Sequence, residues 1–94
     1  MKILWTQLAL RDVQRVWDYL LDARVSVAES VVVGIKKSVE NLMYHPNMGR
    51  PGRIQGTREL VVIGTPYIVP YRIRGDSIQI LAVVHTARRW PEVV

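Results

Sequence analysis

RELVVIGTPYIVPYRIRGDSIQILAVVH, residues 58–85, decides the fold. It divides into three β-prone runs, Arg58 to Ile63, Tyr67 to Arg74 and Ser77 to His85. Gly64-Thr65-Pro66 and Gly75-Asp76 separate them, and short Gly-containing links of this kind join neighbouring antiparallel strands. The runs are expected to pair as a meander. In the last run both alternating sets are largely apolar, Ile78, Ile80, Ala82 and Val84 against Leu81 and Val83, as suits a strand covered on both faces. Pro70 has no amide hydrogen to give a ladder, so its position must face a gap, a bulge or the edge.

Upstream, residues 46–57 form a loop rich in Pro and Gly that carries Arg50 and Arg53. Before it lie two helical patterns. Leu10, Val13, Val16, Trp17, Leu20 and Leu21 recur at three- and four-residue steps, with Arg11, Asp12, Gln14, Arg15 and Asp18 on the other side. Thr6 is a suitable N-cap for this helix. Ala28, Val31, Val32, Ile35, Val39 and Leu42 give a second stripe that ends at His45-Pro46, and Ser26 with Glu29 has the spacing of a capping box. A link as short as Asp22 to Val25 forces the helices into an antiparallel hairpin, which needs an apolar surface to cover. Lys2 to Trp5 adds a short N-terminal strand. The order is β-α-α-β-β-β: an α+β domain with a helical hairpin packed on a curled antiparallel sheet.

The chain of 94 residues is long enough for one small core, so residues 1–94 are read as a single domain. With no cysteine it has no thiol nucleophile and no Cys-based zinc site. No stretch reads as a signal peptide or a membrane span, and a cytoplasmic protein is expected. The net charge of +5 points to an acidic partner, and it is unevenly placed. Residues 1–45 have a net charge of +1; residues 46–94 have +4, through Arg50, Arg53, Arg58, Arg72, Arg74, Arg88 and Arg89 against Glu59, Asp76 and Glu92. Arginine is the residue whose planar fork grips carboxylate or phosphate.

Only His45 and His85 titrate near neutrality without a large shift. His45 stands at a helix end, where a polar cap explains it. His85 precedes Thr86-Ala87-Arg88-Arg89-Trp90-Pro91, so it is either a base beside a phosphate clamp or a strand-end ring packed under Trp90. No paired carboxylates, catalytic triad, phosphate-binding glycine motif or metal-ligand cluster can be assembled, and no cofactor or metal is expected.

Five motifs together identify a family resemblance. They are Trp5-Thr6-x-x-Ala9-x-x-Asp12-Val13-x-x-Val16-x-x-Tyr19, His45-Pro46-x-x-Gly49-Arg50-Pro51, Arg58-Glu59-Leu60, Tyr67-Ile68-Val69-x-Tyr71-Arg72-Ile73 and Val84-His85-x-x-Arg88-x-Trp90-Pro91. In this order they resemble the RelE/ParE superfamily of type II toxin-antitoxin toxins, over essentially the whole chain. The resemblance implies one of two activities. RelE-like members are ribosome-dependent mRNA endoribonucleases with a basic cluster at the scissile phosphate; ParE-like members bind and poison DNA gyrase. It also implies an acidic cognate antitoxin that folds on the toxin in a hetero-oligomeric complex, and no membrane role.

Aligned on Tyr67 and Tyr71, the lysine positions of RelE-like ribonucleases fall on Glu59 and Val61, and an arginine position falls on Ile68. Arg88 alone keeps the basic C-terminal position, and no lysine follows Lys37. The sequence looks closest to the ParE branch, a plasmid-stabilisation toxin that is not an enzyme. Arg50, Arg53, Arg58, Arg72, Arg74, Arg88, Arg89 and Trp90 are then the candidate antitoxin- or target-binding residues. The ribonuclease alternative would use His85 as acid or base, Arg72 or Arg88 on the phosphate, and Glu59. A non-toxic antitoxin-binding module is the third reading.

Overall fold

Thr6 ends the first strand and starts the first helix, as its residue type predicts: its hydroxyl accepts a hydrogen bond from the Ala9 amide at 3.1 Å. The computed structural model describes residues 1–88, 90 and 91. Strand β1 is Lys2–Trp5, helix α1 Gln7–Leu21 and helix α2 Val25–Glu40, followed by a 3-10 turn at Asn41–Met43. Then come β2 (Arg50–Pro51), β3 (Arg58–Val61), β4 (Tyr67–Arg74), β5 (Ser77–Ile80) and β6 (Val84–His85).

The expected capping box at Ser26 and Glu29 does not form. Helix α2 begins two residues earlier, at Val25, with Arg24 as an extended N-cap that makes no side-chain cap bond. The link is too tight for the alternative. The Ala23 and Arg24 amides both bond to the Leu20 carbonyl, at 3.0 and 2.9 Å, and the Arg24 carbonyl accepts the Ala28 amide at 3.1 Å. Ser26 is thereby already inside the first turn. On α1 the inward face is centred on Ala9 and Val16, which leaves Leu10 55% and Leu21 38% exposed although both belong to the apolar pattern.

The strand order is β1-β5-β4-β3-β2, with β6 returning to pair with β4. Pairing is antiparallel from β2 through β6, while β1 joins β5 in parallel, from Lys2↔Ser77 to Trp5↔Ile80. One face of this mixed sheet meets the helical hairpin. Ile35, Val39 and Leu42 from the helical half pack there against Leu60, Val69, Tyr71, Ile78 and Ile80, all buried. The two-residue turn between β4 and β5 takes its positive φ at Gly75, 54°. The two-residue strand β2, read from sequence as part of a loop, is held by its pairing to Arg58 and Glu59.

Pro70 faces a bulge. Tyr71 is opposite Ile80, yet Ile68 is opposite Val84, so three residues (81–83) stand against two (69 and 70). The Pro70 carbonyl accepts the Leu81 amide at 2.9 Å, but no amide returns to the Leu81 carbonyl. Thr6 supplies a donor instead: its hydroxyl lies 3.2 Å from that carbonyl and 2.9 Å from that of Ile80. The single long run Ser77 to His85 is therefore two strands.

Tyr71 ties the core to the loop. Its buried phenol donates to the Pro46 carbonyl at 2.7 Å and accepts the Gly49 amide at 2.9 Å. A Cβ at residue 49 would sit 2.6 Å from the ring, so only glycine lets the loop approach this closely. Burial raises the Tyr71 pKa above its ordinary value of 10.0, against the opposing pull of the Gly49 amide and Arg58. A raised phenol pKa favours the neutral ring in the fold. That contribution is complete below pH 10 and is lost as pH climbs through the native value. Tyr71→Phe should cost about 1–3 kcal/mol in urea unfolding at neutral pH, because it strands the Gly49 amide. The same substitution should make stability fall less steeply above pH 10.

Candidate functional site

His85 lies in β6 opposite Tyr67, and the two rings meet edge to face with centroids 5.5 Å apart and planes at 84°. Its Nδ1 accepts the Ala87 amide at 3.0 Å, which fixes the neutral ring as the Nε2–H tautomer. Across from it, α1 contributes Asp12, Arg15 and Tyr19. Asp12 Oδ2 accepts the Val83 amide at 3.0 Å, just where the bulge interrupts the ladder. Arg88, Trp90 and Pro91 close the far side. Together these residues enclose a cleft of about 590 Å3. Burial raises the Tyr67 pKa, with Tyr19 adding to the rise and Arg88 opposing it. The cleft thus offers aromatic faces, two guanidinium groups and one imidazole.

The other predicted residues are elsewhere. Glu59 is 1% exposed, and its carboxylate faces Arg50 at 3.1 Å and Arg53 at 3.6 Å while also accepting the Arg53 amide at 3.1 Å. Arg58 holds the loop, donating to the carbonyls of Gly49 at 2.7 Å and Asn47 at 3.2 Å. Arg72 and Arg74 belong to the helix-free face of the sheet, where the Arg72 Nε donates to Gln79 at 2.6 Å. Arg53 also reaches the Trp90 carbonyl at 3.4 Å. Arg89 lies outside the described residues. The arginine set expected to act as one surface is therefore divided among a buried ion cluster, a loop brace, an open sheet face and the cleft.

The residues named for RNA cleavage are only partly brought together: His85 and Arg88 share the cleft, while Arg72 and Glu59 lie elsewhere. Glu59 is spent on Arg50 and Arg53, so it does not stand as a free acid or base. Val61 offers an aliphatic side chain, and Ile68 is buried at 1% exposure.

A family profile described as the ParE toxin of type II toxin-antitoxin systems, parDE, matches residues 3–90. The chain belongs to the ParE toxin family. Y4kP of Sinorhizobium fredii, named as a candidate toxin, is 43% identical over 93 residues, 99% of this chain and 96% of that protein. Toxin RelE2 of Caulobacter vibrioides is 29% identical over 87 residues, 93% and 97% of the two chains. The toxin fold is also seen in solved structures. The chromosomal ParDE system from P. aeruginosa matches with a TM-score of 0.83 at 28% identity, covering 90% of this chain and 95% of the other. The RelBE2 toxin-antitoxin complex of Mycobacterium tuberculosis matches with 0.58 at 27%, covering 93% and 92%.

In this ParE-family toxin the α1 wall of the cleft is what the sequence reading missed. Asp12 and Arg15 were placed on the solvent side of the helix. The signal was nonetheless present, because Leu8, Asp12, Arg15 and Tyr19 follow one another at three- and four-residue steps, a second stripe beside the apolar one. No group of three metal-binding side chains occurs among the described residues, and no helix there is long and apolar enough to cross a membrane.

The Glu59 cluster makes a direct prediction. Glu59→Gln keeps the shape and an acceptor but removes the charge that Arg50 and Arg53 face. It should lower the denaturant midpoint by the equivalent of about 1–3 kcal/mol. Arg50→Gln alone should cost less, since that side chain is half exposed at 50% and water screens it.

Proposed function

We propose that this ParE-family toxin acts by binding DNA gyrase, without cleaving RNA, and that an acidic antitoxin holds it inactive in the cytoplasm. One observation carries the reading: the three positions at which a RelE-like ribonuclease would hold its cations are a buried, ion-paired Glu59, an aliphatic Val61 and an enclosed Ile68. Such chemistry stabilises the scissile phosphate with positive charge aimed at it, and these positions supply none. The higher TM-score of the ParDE structure, 0.83 against 0.58 for RelBE2, agrees with this branch. The two toxin-antitoxin assemblies among the matching structures support an antitoxin partner. Its carboxylates would find Arg15 and Arg88 at the cleft, and the half-exposed outer sides of Arg50 and Arg53.

A second reading, mRNA cleavage through His85, rests on the cleft that this residue shares with Arg15 and Arg88. Its His85 Nδ1 is already occupied by the Ala87 amide, which leaves Nε2 as the reactive nitrogen.

Antitoxin-free protein should inhibit supercoiling by purified gyrase and increase the yield of cleaved DNA, while mRNA on translating ribosomes stays intact. Ribosomal A-site cleavage that disappears in His85→Ala would overturn the proposal in favour of the second reading. Induction without antitoxin should stop growth; normal growth with folded, soluble protein would remove both toxic readings and leave a binding module.

A further inference from the structure

The two helices and their link, residues 7–40, carry five basic side chains (Arg11, Arg15, Arg24, Lys36, Lys37) and five acidic ones (Asp12, Asp18, Asp22, Glu29, Glu40). The layer that covers one face of the sheet is electrically neutral, so the whole net charge of +5 belongs to the rest of the chain. Strand register gathers part of it on the opposite face. Lys2, Ser77 and Arg74 form one row across β1, β5 and β4, and Leu4, Gln79 and Arg72 form the next. Standard strand geometry spaces Lys2, Arg72 and Arg74 about 7 to 12 Å apart. Gln79 holds Arg72 through Nε at 2.6 Å, which leaves both terminal nitrogens for a ligand. Two acids lie nearby: Asp76 is 81% exposed and 3.7 Å from the amino terminus, whose charge partly offsets it, and Glu59 is enclosed by Arg50 and Arg53.

We propose that this helix-free face is a sequence-independent binding surface for the phosphate backbone of duplex DNA. An acidic peptide would need apolar pockets beside the charges, and none of Lys2, Arg72, Arg74 or Gln79 lines the His85 cleft or the second cleft, which Ile3, Trp5, Leu10, Val13 and Met43 line on the helix side of β1. A single strand would need aromatic platforms on which its bases stack. Trp5, Tyr67 and Tyr71 all belong to the other face, with the core. What remains in the two rows is three cations and two small polar groups, with Leu4, 47% exposed, as the one apolar side chain beside them; such a composition holds a backbone without reading bases. The inference does not depend on whether gyrase is the target, because it concerns DNA and this chain alone.

The test is fluorescence anisotropy of antitoxin-free protein with a short labelled duplex of arbitrary sequence, titrated at several salt concentrations. Three phosphate contacts give a log-log salt slope of about −2.7, so raising salt from about 50 to about 200 mM should weaken binding roughly 40-fold. The R72Q/R74Q variant should reduce the slope to about −0.9 and that loss to roughly 3- to 4-fold. R24Q/K37Q removes the same net charge from the helical layer and should leave the slope at the parent value. If circular dichroism shows that R72Q/R74Q fails to fold, K2Q/R74Q keeps the Arg72–Gln79 pair and should show the same reduction. The proposal is overturned if there is no binding at the lowest salt, or if the two faces give equal slopes. Displacement of the duplex by polyglutamate or single-stranded RNA at lower concentration than by unlabelled duplex overturns it equally.

Discussion

Pro70 has no hydrogen to give, and much of this structure follows from that missing donor. An antiparallel ladder cannot pass it intact on the β5 side, so the strand opposite takes in one extra residue and breaks. The break leaves backbone groups at residues 81–83 that still need partners. Both partners come from the start of the chain: Thr6 donates to the Ile80 and Leu81 carbonyls, and Asp12 accepts the Val83 amide. The first helix is thus docked by polar bonds to a defect in the sheet as well as by its apolar face. The cleft lies where helix and defect meet, and its imidazole stands on the short strand that follows the bulge.

Charge is organised with comparable economy. Glu59 would be costly alone in the interior, and two guanidinium groups and a backbone amide surround it. That arrangement uses arginines that a reading of composition counts as free. It also fastens the strand β2 and its loop to the sheet, a region with little apolar surface to hold it.

Turn residues and apolar alternation made most of the fold legible. Gly64-Thr65-Pro66 and Gly75-Asp76 mark the strand breaks, Thr6 marks the start of a helix, and Pro70 announces some irregularity. What stayed hidden depends on partners distant in sequence. The parallel pairing of β1 with β5 has no local signature, and neither does the capture of the Val83 amide by Asp12, 71 residues away. The capping box failed for a local reason, since hydrogen bonds within the link moved the helix start ahead of Ser26. One wall of the cleft was legible at His85, Arg88 and Trp90, which lie within six residues of sequence. Its other wall was not, because a stripe of mixed polarity on α1 resembles a solvated face until the sheet is placed against it.

The bond between Thr6 and Ile80 spans 74 positions, and it gives the order of synthesis a meaning. A growing chain emerges with β1 first, but the strand that receives it begins at Ser77. Until then the N-terminal strand has nothing to pair with, and closure over such a distance is among the slower steps of folding. A ribosome that stalls or drops off before that point releases a fragment without the closing strand, the bulge or His85. The cleft and the closing strand form only after residues 77–85 have been made, so a chain released before that point lacks the surface they build.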